Sequence, residues 1–124
     1  MKWFGLFAAG MLLATPAAAL DCNNATTQVD MNMCANEGYE RVDAALNEIY
    51  GQLRRNMQKT NPDSVPLLVD AQRAWITFRD KHCAFVSSGY EGGSMQSFVI
   101  TSCRTELTEY RNEELGRQIE GDQD

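Results

Sequence analysis

At 124 residues the chain suffices for one small domain, and 44 % apolar with 23 % charged residues is an ordinary globular balance. Seventeen acidic side chains against eleven lysines and arginines give a net charge of −6, which disfavours nucleic acid and anionic lipid as partners and suits solubility or steering towards a basic partner. The four cysteines include no Cys-x-x-Cys pair and the single histidine, His82, directly precedes Cys83, so a metal site and a metal cofactor have little support.

Residues 1–19 read as a secretory signal peptide. Lys2 supplies the positive start, Trp3 to Ala14 are uncharged and largely apolar, Pro16 breaks the helix, and Ala17-Ala18-Ala19 offers small residues to a peptidase. The apolar run is too short to cross a bilayer. Asp21 occupies the position where a lipidated cysteine would need a small residue, so Cys22 is not read as a lipid anchor. The expected mature domain is 20–124, without a membrane anchor, in the periplasm or secreted. Losing Lys2 leaves ten basic against seventeen acidic residues, or −7.

Beyond the signal, apolar residues recur at helical spacing and no alternating run supports a strand. A first helix is predicted from a cap at Thr26 or Thr27 to about Lys59, with the stripe Val29, Met33, Tyr39, Val42, Leu46, Ile49, Leu53 and Met57. Gly38 makes a break near Asn36 to Gly38 an alternative. Pro62 disfavours helix at Asn61, and Ser64 is the expected cap of a second helix with Pro66 in its first turn. Its stripe is Leu68, Ala71, Trp75, Phe78, His82 or Cys83, and Val86, ending near Cys83. Three glycines in 87–94 form the next join, and Ser94 is placed as the cap of a third helix with the face Met95, Phe98, Val99, Ser102, Leu107, Tyr110 and Ile119. Three amphipathic segments with short joins predict an all-α fold, a small antiparallel three-helix bundle running up, down and up.

An even cysteine count in an exported chain predicts two disulfides. With the second helix ending near Cys83, Cys34 and Cys103 sit at similar heights, roughly 12–14 Å from their helix starts at 1.5 Å per residue. Cys22 lies nearer the level of Cys83. That geometry favours Cys34–Cys103 and Cys22–Cys83 among the three possible pairings.

The chain carries a composite pattern. Thr27-Gln28 and Met31-Asn32 lead into Cys34-Ala35, followed by Asp43-x-x-Leu46-Asn47-x-x-Tyr50. Then come Ala71-Gln72-x-x-Trp75-x-x-Phe78-Arg79-Asp80-x-x-Cys83, Gly92-Gly93-Ser94, Cys103 and Thr108-x-x-Arg111-x-x-x-Leu115. This pattern, from about Cys22 to Leu115, resembles the domain family named after the lysozyme inhibitor LprI. The resemblance implies an exported helical domain and, for some members, inhibition of lysozyme.

The motif residues have structural reasons of their own. Asp43, Leu46, Asn47 and Tyr50 share a helical face, and Trp75, Arg79 and Cys83 stand at i, i+4 and i+8. An arginine aligned with a core tryptophan and a cysteine is expected to be partly buried and to need a carboxylate or backbone carbonyls. Asp43 is the first candidate partner and Glu106 the second. No nucleophile elbow surrounds any serine, and Glu113-Glu114 diverge along a helix, so catalysis has no constellation to rest on. Gly92-Gly93-Ser94 lacks the lysine and spacing of a phosphate loop. Projected by the 87–93 join, Tyr90 and Glu91 are the candidate partner-binding residues, tyrosine being a rigid anchor with a polar end. The sequence thus reads as a non-enzymatic inhibitor-like protein whose protein partner is a basic lysozyme or another cell-wall hydrolase. The alternative is an envelope interaction or assembly module.

Overall fold

The computed structural model describes residues 20–121, so the signal assigned to 1–19 and the last three residues lie outside them. The order is helix α1 (Gln28–Thr60), a 3-10 turn (Pro62–Ser64), α2 (Val65–Ser87), a second 3-10 turn (Ser88–Tyr90) and α3 (Met95–Gly121). The helices pack in the expected up-down-up sense, α1 and α3 side by side.

Thr27 starts α1 by accepting a hydrogen bond from Asp30 N at 3.1 Å, which satisfies one of the helix's free amides. The helix then continues through Gly38 without a break and, at about 1.5 Å per residue, is roughly 50 Å long. A mid-helix glycine costs only about 1 kcal/mol against alanine, and hydrogen bonds to α3 hold the helix on either side of it. Asn112 Nδ2 donates to Val42 O at 3.0 Å, and Thr101 Oγ1 to Asn36 Oδ1 at 3.4 Å, across the same seam. Pro62 ends α1 as predicted. Ser64, however, does not cap α2 with its side chain: its Oγ accepts from Asn61 Nδ2 at 2.7 Å and tightens the 3-10 turn instead.

The leucine core lies towards the end where α1 finishes and α2 begins. Leu46, Leu53, Leu68 and Leu115 are almost fully enclosed, with Ile49, Tyr50, Met57, Trp75 and Ile119 packed around them. On α2 the buried row is Leu68, Gln72, Arg79, Cys83 and Ser87. The predicted row drifted off this face, and Ala71, Phe78 and Val86 are exposed. Val29 and Met33 on α1, and Met95 and Tyr110 on α3, are exposed as well.

The opposite end is held covalently, and here the expected pairing is corrected. The disulfides are Cys22–Cys34 and Cys83–Cys103, with Cα separations of 5.5 and 5.6 Å. The reason is the length of α2. It runs four residues past Cys83 and its 3-10 extension adds more, so Cys83 stands back from the α2–α3 turn by about as much as Cys103 does. Cys22 lies in a turn before α1, tightened by Asn24 N donating to Asp21 O at 3.2 Å, which brings it back to Cys34. Four enclosed leucines make a modest core. Closing loops of 12 and 20 residues adds roughly 3 kcal/mol for each bond in the chain-entropy model.

Candidate functional site

Two places gather the motif residues. The first is the middle of the bundle, where Arg79 is 7 % exposed. Its guanidinium lies over the rings of Trp75 and Tyr39, with centroid distances of 5.1 and 5.7 Å. The carboxylate it needs is neither Asp43 nor Glu106. Arg79 Nε donates to Asp80 Oδ1 at 3.0 Å, and Arg104 Nε lies 3.3 Å from the same oxygen, an ion pair without hydrogen-bond alignment. Adjacent residues on a helix diverge in direction, so Asp80 does not face Arg79 through the helix geometry alone. The long arginine side chain overcomes that by curling back along α2, and the pair remains half open to water on the Asp80 side.

Trp75 takes a second cation, with Arg111 5.8 Å from the ring centroid. Arg111 Nε donates to Gln72 Oε1 at 3.0 Å and Nη1 to Glu114 Oε2 at 3.0 Å, joining α3 to α2. Trp75 and Arg79 therefore meet as predicted, whereas Asp43 and Asn47 stay on α1 and contribute nothing to the arginine. Gln72 and Arg111 were inside the sequence pattern but carried no signal for each other. Thr108, completely enclosed, leaves its Oγ1 without a hydrogen-bond partner. Two arginines flanking a tryptophan, each with a carboxylate at hand, make a rigid joint between helices. Nothing in it presents a nucleophile or a paired acid.

The second place is the α2–α3 turn, roughly 16 Å further along the bundle at 1.5 Å per residue. It is tied rather than loose. Ser88 Oγ donates to Phe85 O at 2.7 Å, Glu91 N to Ser88 O at 3.4 Å, Gly93 N to Tyr90 O at 3.0 Å and Gly92 N to Gln96 Oε1 at 3.4 Å. Gly92 adopts φ 77°, the left-handed region open to glycine. On this framework Tyr90 is 48 % exposed and Glu91 is exposed as well, on the turn that follows the Cys83–Cys103 bond between the two helices. The turn thus offers an aromatic ring and a carboxylate on a short, hydrogen-bonded backbone.

His82 lies on an exposed flank of α2, its ring 5.3 Å from that of Phe78 and 6.4 Å from that of Phe85. Among the described residues no three histidine, cysteine or acidic side chains gather to hold a metal ion, and no helix is long and apolar enough to cross a membrane.

Comparison with known proteins bears on this arrangement directly. The model of the family described as Lysozyme inhibitor LprI matches residues 21–115, from the clipped N-terminal turn to the last core leucine. The chain belongs to that family. Two relatives are similar over most of their length. One is the uncharacterized protein R02472 of Rhizobium meliloti (strain 1021), 36 % identical over 110 residues, covering 81 % of this chain and 79 % of the relative. The other is the uncharacterized protein YecT of Escherichia coli (strain K12), 32 % identical over 123 residues, covering 79 % and 76 %. No solved structure is matched. The LprI match spans both disulfides, the arginine joint and the α2–α3 turn.

Proposed function

We propose that the protein is exported, by cleavage of residues 1–19, and binds a lysozyme or another cell-wall hydrolase without covalent chemistry. The observation that carries this reading is the stapled α2–α3 turn, which holds Tyr90 and Glu91 outward on a rigid base. Membership of the LprI family supplies the class of partner. The acidic surface speeds encounter with a basic hydrolase, an effect that weakens with salt. In this reading Tyr90 enters the substrate groove and Glu91 meets a basic residue at its edge, so the hydrolase loses access to peptidoglycan. The disulfides and the absence of a membrane-crossing helix among the described residues suit an extracytoplasmic setting.

The test is lysis of a peptidoglycan suspension by basic lysozymes with and without the purified, oxidised protein. Slower lysis that recovers with salt is the expected result. Tyr90→Ala should weaken inhibition by about 2 kcal/mol, the scale of an interface anchor, while leaving thermal stability unchanged. Undiminished lysis across a panel of lysozymes at micromolar protein and low salt would remove lysozyme as the partner.

A further inference from the structure

We propose that α2 carries a self-complementary face through which two copies of the protein pair antiparallel. Leu67, Ala71, Ala74, Phe78, His82 and Phe85 follow one another at steps of four and three. They form one row about a third of a turn from the buried row of α2. The row is open to solvent: Leu67 is 68 % exposed, Phe78 55 % and Phe85 73 %. Spacing of this kind is the seam of a helix pair, yet among the described residues no element covers it.

Three observations select a second copy as the occupant. The row is graded in size, with Ala71 and Ala74 before its centre and Phe78, His82 and Phe85 after it. Antiparallel pairing about a two-fold axis near Ile76 sets Phe78 of each copy on Ala74 of the other, large on small, and Phe85 on Leu67, ring on aliphatic chain. Second, Asp70 and Lys81 are exposed and flank the row on the same side. The same axis brings Asp70 of each copy opposite Lys81 of the other, giving two equivalent ion pairs. Third, Leu67 and Ala71 also help wall an open groove of about 660 Å³ whose lining mixes apolar side chains such as Met57 and Leu115 with polar ones such as Arg111 and Gln118. Phe85 and this groove are about 27 Å apart along one helix at 1.5 Å per residue. No single copy can bring them together, but the two-fold axis does so at both ends. An isologous contact of this form closes on itself and stops at two copies.

The area sets the strength. At roughly 200 Å² for a whole aromatic side chain, Phe78 and Phe85 together leave roughly 250 Å² of ring surface per copy. With Leu67, the alanines and the flanking stems, the contact falls among weak and reversible interfaces rather than obligate ones. The dimer is therefore expected to be weak and to exchange with monomer.

Sedimentation of the purified, oxidised protein over a wide concentration range reads this directly. The expected result is a reversible monomer–dimer equilibrium. Phe85→Glu should raise the dissociation constant by roughly thirtyfold per contact, about a thousandfold for the symmetric pair. Its side chain points to solvent, so circular dichroism should report an unchanged fold. Asp70→Lys and Lys81→Asp should each weaken pairing, and the double exchange should restore it. A monomer at every attainable concentration overturns the proposal. So does a dimer indifferent to Phe85→Glu, or one that the double exchange fails to rescue. Lysis assays do not enter this test, so it stands or falls apart from the hydrolase reading.

Discussion

Asp80→Asn tests what the buried arginine costs. The substitution keeps an oxygen facing Arg79 Nε but removes the charge that answers an arginine side chain only 8 % exposed. Breaking a fully buried pair from one side costs roughly 3–5 kcal/mol. Asp80 is 42 % exposed, so water takes up part of the loss and about 2 kcal/mol is the reasonable size. Arg79→Met removes the charge and keeps a long side chain against Trp75 and Tyr39. It forfeits the cation–π contacts but leaves no orphan charge, for about 1 kcal/mol or less. The double variant should therefore be about as stable as Arg79→Met alone, a coupling of roughly 1–2 kcal/mol between the two sites. In a domain of this size 1 kcal/mol moves the melting temperature by roughly 4–8 °C. Thermal unfolding followed by circular dichroism then places Asp80→Asn roughly 10 °C below the parent and both other variants above it. Arg104→Gln, at a side chain 37 % exposed, serves as the control and should cost less than about 1 kcal/mol. Additive effects within a few tenths of a kcal/mol, or an Arg79→Met variant at least as unstable as Asp80→Asn, would refute the reasoning.

Thr108→Val replaces a completely buried hydroxyl that has no partner with a methyl of the same shape, and should stabilise the fold by about 1 kcal/mol in denaturant titration. A destabilised variant would mean the hydroxyl is satisfied. Replacing Cys83 and Cys103 together by serine should cost roughly 3 kcal/mol, seen as a lower melting temperature and as faster amide exchange at the α2–α3 turn. Exchange spread evenly over all three helices would contradict a local staple. The Asp21 carboxylate accepts from the Asn24 side chain, 2.6 Å away, and from Asn23 N at 3.1 Å, and these bonds hold its pKa below the ordinary aspartate value. A depressed carboxylate pKa stabilises above the unfolded value, and that contribution is lost as pH falls through the folded one. The Asn24 side-chain amide resonances should therefore shift below the usual aspartate titration range, and titration in the usual range would exclude the bond.

Much of the architecture was already legible as pattern. Helix and turn positions, the Thr27 cap and the stop at Pro62 are local matters, decided by periodicity and by proline or hydroxyl chemistry within a few residues. The LprI family was equally legible, because its motif is a string of spacings. Three-dimensional outcomes were not. The cysteine pairing turned on α2 reaching Ser87 rather than Cys83, one turn of helix that propensity does not resolve but that sets heights along the bundle. Arg79 pairs with Asp80 because a long flexible side chain takes the carboxylate within reach once the helices are packed, and that distance is not written in the sequence. The apolar row Leu67 to Phe85 carries the same periodicity as a core stripe, and only the placement of α1 and α3 shows that it faces water. Sequence determines which faces of this protein are sticky and where its helices turn. Tertiary packing decides which of those faces is spent on the core and which is left for a partner.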